Sequence, residues 1–124
     1  MYNINNDLDY FTREEFACQY TGENNISDRL LLKLDLLRAR CEFPFVITSG
    51  YRSEDHPIEA KKKQEKTHAQ GIAADIKVTT GTQRYKIIEE AIKMGFTGIG
   101  IAGSFVHVDI RDLDGNESPV MWTY

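Results

Sequence analysis

Residues 99–110, IGIAGSFVHVDI, contain two apolar runs that flank a Gly103-Ser104 connection. A short connection containing glycine between two such runs predicts a β-hairpin formed by residues 99–102 and 105–110. The second run alternates with period two, which puts its aliphatic residues on a core face. The opposite face then carries the remaining residues: Phe105, His107, Asp109 and Arg111. The hairpin is therefore expected to present polar chemistry on an exposed sheet surface.

Two amphipathic helices and one shorter helix are expected elsewhere in the chain. Ser27 can cap a helix whose leucines recur at helical spacing and which ends near Cys41. Thr82 can cap a second helix over residues 83–94. Apolar residues of that second helix form a stripe: Tyr85, Ile87, Ile88, Ala91 and Ile92. Near residues 12–18, the sequence Thr-Arg-Glu-Glu has capping-box spacing and predicts a short helix.

The remaining segments add strands around these helices. Residues 43–48, FPFVIT, are aromatic and β-branched and favour a strand entered through Pro44. Residues 72–78 alternate with period two and predict a strand with one buried face. A turn-rich loop at residues 112–119 precedes a short terminal segment, residues 120–124. Helices followed by strands around one helix imply an α+β domain with a small, mostly antiparallel sheet flanked by helices.

Composition places the chain among small globular proteins. Its 124 residues, net charge of −4 and 41% hydrophobic content predict one domain over residues 1–124. The mildly acidic charge argues against sequence-independent binding to nucleic acid or to membrane surfaces. The sequence shows neither a signal peptide nor a membrane-spanning stretch, so we expect synthesis in the cytoplasm. Cys18 and Cys41 lack metal-ligand spacing and are expected to be buried thiols, and we expect a monomer.

Two of the three histidines lie near carboxylates and suggest a metal site. His68 precedes Asp75 by seven residues, a step of about 10.5 Å along a helix, which is too far for shared ligation. If Gly71 instead ends a loop that leads into the strand at residues 72–78, His68 can fold back over Asp75. His107 lies on the polar face of the hairpin. Two imidazoles and one carboxylate would leave a fourth tetrahedral position for water, as in catalytic zinc sites that support hydrolysis.

Each histidine also has an ordinary structural explanation. A single histidine beside a carboxylate is most often a surface residue or a core residue held by hydrogen bonds. Neither the pair of His68 and Asp75 nor the pair of His107 and Asp109 would establish a metal site alone. The two pairs favour one when they are taken together with the family resemblance described next.

The motifs of the chain resemble those of the M15 zinc peptidases. The matching residues follow in order along most of the chain: Ser49-Gly50-Tyr51-Arg52-Ser53, His56-Pro57-Ile58-Glu59-Ala60, His68-x-x-Gly71-x-Ala73-x-Asp75, Gly95-Phe96, Gly98-Ile99-Gly100 and Phe105-Val106-His107-Val108-Asp109. The resemblance is to the D-alanyl-D-alanine carboxypeptidase group, specifically the short phage and bacterial type with a His-x-Asp motif. It implies an α+β fold shared with the hedgehog signalling domain, a zinc ion, and cleavage of peptide bonds in peptidoglycan stem peptides.

The resemblance implies three zinc ligands: His68, Asp75 and His107. It also puts Arg52 near the metal, where a guanidinium can bind a substrate carboxylate or a developing oxyanion. One departure concerns the general base, because many members carry a glutamate three residues before the last ligand histidine, where this chain has Ser104. Asp109 is then a candidate base, or a hydrogen-bonding partner that orients a ligand, and the sequence leaves both roles open.

Further substrate contacts are expected from three residues: Tyr51, His56 and Trp122. His56 could equally fix its own loop by hydrogen bonding, and Trp122 could pack against the core. The resemblance favours a zinc-dependent carboxypeptidase or cell-wall endopeptidase, including a phage endolysin that reaches the wall during lysis. The alternative is a non-catalytic, metal-stabilised module of the same fold that binds the cell wall or belongs to a virion.

Overall fold

In the part of the chain that the structure describes, five strands form a single mixed sheet beside two α-helices. The computed structural model describes residues 8–53, 56, 67–114 and 117–124. In chain order the elements are α1 (Asp28–Cys41), β1 (Ile47–Ser49), β2 (Ala73–Lys77), α2 (Gly81–Lys93), β3 (Gly98–Ile101), β4 (Phe105–Asp109) and β5 (Val120–Thr123), with short 3₁₀ helices at Arg13–Phe16 and Arg111–Asp114. The architecture is the α+β class that the sequence predicts.

The first helix, α1, begins and ends with standard capping geometry. Ser27 Oγ accepts a hydrogen bond from the Leu30 N–H at 3.3 Å. At the other end the chain turns through Glu42, whose φ of 63° is left-handed. The capping box of the earlier 3₁₀ helix is also present, since the Glu15 carboxylate accepts from the Thr12 N–H at 3.0 Å. Both predicted helix starts are confirmed.

The second helix, α2, starts two residues before the expected position. Thr80 has the extended backbone of a cap, and its Oγ1 accepts from the Gln83 N–H at 3.1 Å. The expectation of a Thr82 cap was wrong, because Gly81 and Thr82 are accommodated in the first turn of the helix. Within the described part of the chain, neither this helix nor any other is long and apolar enough to cross a membrane.

The apolar stripe of α2 is only partly buried. Ile87 and Ala91 are fully buried, whereas Tyr85 is 72% exposed and Ile92 is 55% exposed. The helix packs mainly against α1 and β4. The face of α2 that these neighbours cover is narrower than the predicted apolar stripe, so the residues at the edges of the stripe remain at the surface.

The described strands have the order β1, β2, β4, β3, β5, and among them only the pair β3 and β5 is parallel. The predicted hairpin forms as β3 and β4, so a mostly antiparallel sheet is confirmed. The first strand begins at Ile47 rather than at residue 43, since Pro44 has no N–H to donate to a strand pair. The terminal segment forms an edge strand, β5, although no strand was predicted there.

The hydrophobic core lies between the helices and one face of the sheet. Its fully buried members include Leu30, Leu34, Ile76, Ile87, Val106 and Val108. Cys18 and Cys41 are free and buried, as expected. The prediction that β2 has one buried face was wrong, because Ala73 and Asp75 on its other face are buried as well. That second buried face lies at the candidate site.

Candidate metal centre

Three predicted ligands converge on one face of the sheet. Asp75 of β2 and His107 of β4 are directly paired across the two strands, and His107 Nδ1 lies 3.0 Å from Asp75 Oδ1. His68 precedes β2 in a turn, and its Nε2 lies 3.3 Å from the same carboxylate oxygen. All three side chains are buried, and one donor atom from each lies within 4.8 Å of the others. This group could hold a metal ion.

A left-handed glycine brings His68 back over β2. Gly71 has a φ of 75°, and a Cβ at this position would lie 2.2 Å from the Asn25 carbonyl oxygen. Both the backbone conformation and the lack of space therefore require glycine here. The chain bends at Gly71 as the loop interpretation of the sequence requires, and the His68 ring reaches Asp75.

The donor geometry suits a tetrahedral metal ion. Zinc binds nitrogen and oxygen at about 2.0–2.2 Å, which puts neighbouring ligand atoms of a tetrahedron about 3.3 Å apart. The two contacts to Asp75 Oδ1, at 3.0 and 3.3 Å, are close to that edge length.

Hydrogen bonds on the far side of each ring fix its orientation. His68 Nδ1 donates to the Gly50 carbonyl oxygen at 2.7 Å. His107 Nε2 donates to Asp109 Oδ2, also at 2.7 Å. Each ring therefore turns its other nitrogen toward Asp75, and a metal ion would bind the lone pairs of these two nitrogens in place of their protons.

Electrostatics at the centre favour an ionised Asp75. Burial on its own would raise the pKa of Asp75, but hydrogen bonds from His107 and His68 outweigh burial and hold this pKa well below its usual value. Burial lowers the pKa of His68. Burial also disfavours charged His107, yet hydrogen bonds to Asp109 and Asp75 raise the pKa of His107 overall. Protons therefore compete with a metal ion for His107 Nδ1.

Asp109 is fully buried beside His107, with an exposed fraction of 0%. Its Oδ1 accepts from Arg111 Nε at 3.0 Å, and its Oδ2 accepts from Arg111 Nη2 at 2.8 Å. The expectation that this strand face is exposed was wrong. Alternation indicates which residues share a face but not what covers that face, and here Arg111 and Trp122 lie over it.

Two glycines of β3 leave room for the side chains of the site. Gly98 pairs with Asp109, and a Cβ at Gly98 would lie 2.2 Å from Asp109 Oδ1. Gly100 pairs with Trp122 of β5, and a Cβ at Gly100 would lie 2.7 Å from the indole. This function of the glycines was not predicted from the sequence. Their spacing of two residues could have indicated it, because residues two apart in a strand lie on the same face, and here that face also carries Asp109.

The variant Gly98→Ala is expected to destabilise the protein and to displace Asp109. The added methyl group overlaps a buried, ion-paired carboxylate, and overpacking of this kind costs about 1–3 kcal/mol. Gly103→Ala in the same hairpin is the matched control, because nothing lies within 4 Å of a Cβ at Gly103. Urea unfolding of the two variants measures the difference, and equal midpoints would contradict the packing argument.

An open cleft of about 920 Å³ lies over the three candidate ligands. Its lining includes Arg52, Lys77, Ser104, Phe105, Trp122 and Tyr124. Arg52 Nη2 donates to Asp75 Oδ2 at 3.3 Å, and Arg52 Nε donates to Ser49 Oγ at 2.9 Å. The guanidinium is therefore held directly beside a candidate ligand and faces the cleft.

Two residues predicted to contact substrate lie away from the described lining of the cleft. Tyr51 is part of the hydrophobic core, and its hydroxyl accepts from Asn25 Nδ2 at 3.3 Å. The His56 ring lies against Tyr20, with the centroids 5.9 Å apart, and the backbone N–H of His56 donates to the Ser53 carbonyl oxygen at 2.9 Å. Trp122, by contrast, does line the cleft.

Comparison with known proteins identifies the family. The sequence model of the family described as Peptidase M15 matches residues 9–109. This range includes four of the charged or metal-binding positions described above: Arg52, His68, Asp75 and His107. No curated protein matches the sequence at a significant level. Because the family match covers most of the chain and the candidate ligands converge in space, the chain belongs to the M15 family of metal-dependent peptidases.

Proposed function

We propose that the protein is a zinc-dependent peptidase that hydrolyses peptide bonds in bacterial peptidoglycan stem peptides. The observation that carries this proposal is the convergence of His68, Asp75 and His107 beneath an open cleft. Membership of the M15 family supports peptide hydrolysis. The bond cleaved would be a terminal D-Ala-D-Ala bond, as in a carboxypeptidase, or an internal bond, as in a cell-wall endopeptidase.

The zinc ion would be held by His68 Nε2, Asp75 Oδ1 and His107 Nδ1. When bound, zinc lowers the pKa of a water ligand toward neutrality and polarises a substrate carbonyl. Asp75 Oδ2 already accepts a hydrogen bond from Arg52, so the carboxylate offers a single oxygen to the centre. A set of three protein ligands is typical of catalytic zinc sites, whereas structural sites use four.

Arg52 would supply positive charge next to the reacting carbonyl group. Its guanidinium is fixed by Ser49 and Asp75 and lines the cleft. A planar guanidinium can form paired hydrogen bonds to a carboxylate, or it can stabilise negative charge that develops on an oxygen. Because its position is fixed before substrate binds, little reorganisation is needed during the reaction.

Asp109 would act by positioning His107 rather than as the general base. A base must reach the proton that it removes, and the carboxylate of Asp109 has no exposed surface. Both of its oxygens accept hydrogen bonds from Arg111, and one also accepts from His107. A carboxylate that accepts from the second nitrogen of a ligand histidine fixes the tautomer and orientation of that ring.

The variant Asp109→Asn separates these two roles. A positioning role predicts zinc affinity about 10–100-fold weaker, with turnover recovering as zinc is raised to saturation. Zinc affinity is measured by competition with a chromogenic chelator, and turnover is measured at several zinc concentrations. Unchanged zinc affinity with turnover that stays low at saturating zinc would instead support the general-base role.

One observation favours a second function. Ser104 lines the cleft at the position where many relatives carry a glutamate, and a serine hydroxyl does not accept a proton near neutral pH. Asp75 is the only acidic residue in the described part of the cleft lining. A protein that kept the fold and the metal but lost turnover would be a wall-binding or virion module.

Mass spectrometry of treated sacculi distinguishes the two functions. Purified sacculi are incubated with zinc-loaded protein, with the same protein plus a chelator, and with the variant Asp75→Asn. A peptidase produces new amino or carboxyl termini in the first sample alone, and their masses identify the bond. Absence of new termini at full zinc occupancy would favour the binding module, and termini that persist with chelator would contradict metal dependence.

A further inference from the structure

Arg111 lies directly after β4 and donates hydrogen bonds to Asp109, which in turn accepts from the candidate ligand His107. We propose that Arg111 is a positioning residue of the metal centre, which acts through Asp109 on His107, and that Trp122 shields this relay from water. The proposal rests on the metal site of the proposed function, but it does not depend on which peptide bond is cleaved.

The contacts between Arg111 and Asp109 fix the carboxylate in one orientation. The Arg111 backbone N–H and Nε donate to Oδ1 at 3.1 and 3.0 Å, and Nη2 donates to Oδ2 at 2.8 Å. Arg111 is only 2% exposed. The backbone of Gly98 lies against the carboxylate, since a Cβ there would overlap all three of its outer atoms. The carboxylate is therefore enclosed and cannot rotate away from His107.

The orientation of Asp109 determines where the His107 ring points. Asp109 Oδ2 accepts from His107 Nε2 at 2.7 Å, which aims the opposite ring nitrogen, Nδ1, at Asp75. An arginine suits this task because its planar fork can hold both carboxylate oxygens at once. A lysine at the same position has a single ammonium group, which cannot reproduce that fork.

Trp122 covers both ends of the relay. The Arg111 guanidinium lies 4.8 Å from the indole ring centre, and the His107 ring lies 5.0 Å from the indole. The indole fits closely against the backbone of Gly100. Exclusion of water strengthens the ion pair between Arg111 and Asp109, because charges interact more strongly in a low-dielectric surrounding. Trp122 is the only tryptophan in the chain, so its fluorescence reports on this site.

The proposal is tested by metal binding in a double-mutant cycle. The proteins compared are wild type, Arg111→Gln, Asp109→Asn, and the double variant. Zinc affinity is measured by chelator competition and by Trp122 fluorescence, and the visible absorption spectrum of the cobalt-loaded protein reports ligand geometry. Arg40→Gln is the matched control, because Arg40 is an exposed arginine of α1 paired with Glu90.

We expect Arg111→Gln to weaken zinc affinity about 10-fold and to change the cobalt spectrum, as for other partners of ligand histidines. In the Asp109→Asn background the same change should have almost no further effect, because Arg111 acts through that carboxylate. Arg40→Gln should match wild type. If Arg111→Gln does not fold, Arg111→Lys keeps the positive charge but lacks the planar fork, and its zinc affinity and cobalt spectrum are measured in the same way.

Two results would overturn the proposal while leaving the peptidase assignment intact. The first is an Arg111→Gln protein with wild-type zinc affinity and an unchanged cobalt spectrum. The second is a double variant in which the separate losses of affinity multiply, since independent effects would mean that Arg111 does not act through Asp109. Failure of the wild-type protein itself to bind zinc would instead refute the proposed function.

Discussion

The variant Asp75→Asn is expected to lose zinc binding and peptidase activity together. Asp75 is the common contact of the candidate site, since one oxygen faces both His68 and His107 and the other accepts from Arg52. An asparagine keeps the shape but removes the negative charge that compensates a divalent cation in a buried site. We expect zinc affinity to fall by well over the roughly 100-fold associated with a partner outside the ligand set.

Asp28→Asn is the matched control for Asp75→Asn. Asp28 is an exposed aspartate at the start of α1, where it pairs with Arg13 on the surface. Zinc content after dialysis is measured by atomic emission, and activity is measured by the release of peptide termini. Full zinc content in dialysed Asp75→Asn would contradict the ligand assignment, and full activity without zinc would contradict the metal-dependent mechanism.

The variant Arg52→Gln is expected to keep most of its zinc and to lose most of its turnover. Removal of one fixed donor that stabilises developing negative charge typically lowers kcat by about 10²–10³. Glutamine is uncharged and cannot reproduce the contacts of Arg52 with Ser49 and Asp75. Steady-state kinetics at saturating zinc on a stem peptide measure the loss, and Arg40→Gln controls for removal of a positive charge.

The two roles proposed for Arg52 differ in which kinetic constant changes. A loss confined to kcat means that the guanidinium acts in the transition state. A rise in KM with kcat unchanged means that it binds a substrate carboxylate in the ground state, and an amidated peptide should then be insensitive to the substitution. Wild-type values of both constants would exclude Arg52 from the reaction.

Local sequence patterns were sufficient to predict the elements that hold the site. The alternation in β2 and β4 put Asp75 and His107 on the face opposite to the valines and isoleucines, and the glycine at position 71 marked the bend that returns His68. These predictions depend on side-chain period and backbone freedom, which are properties of a few neighbouring residues. The structure confirms the α+β class and the hairpin on this basis.

Features that depend on distant residues were not predicted. The burial of Asp109 results from Arg111 and Trp122. Trp122 lies on β5, and β4 and a loop separate β5 along the chain from its parallel partner β3. The α2 cap was placed two residues late because Thr80 and Thr82 have the same intrinsic capping ability. Tyr51 was expected at the cleft, but its ring fills the core, which a local motif does not reveal.

The direct pairing of Asp75 with His107 has a consequence for folding. If either strand slipped by one residue, its ligand would turn toward the core and an aliphatic side chain would take its place. Zinc would bind the aligned pair and none of the slipped alternatives, so it would lower the free energy of one strand alignment alone. The ion would thereby select the correct sheet during assembly as well as support hydrolysis afterwards.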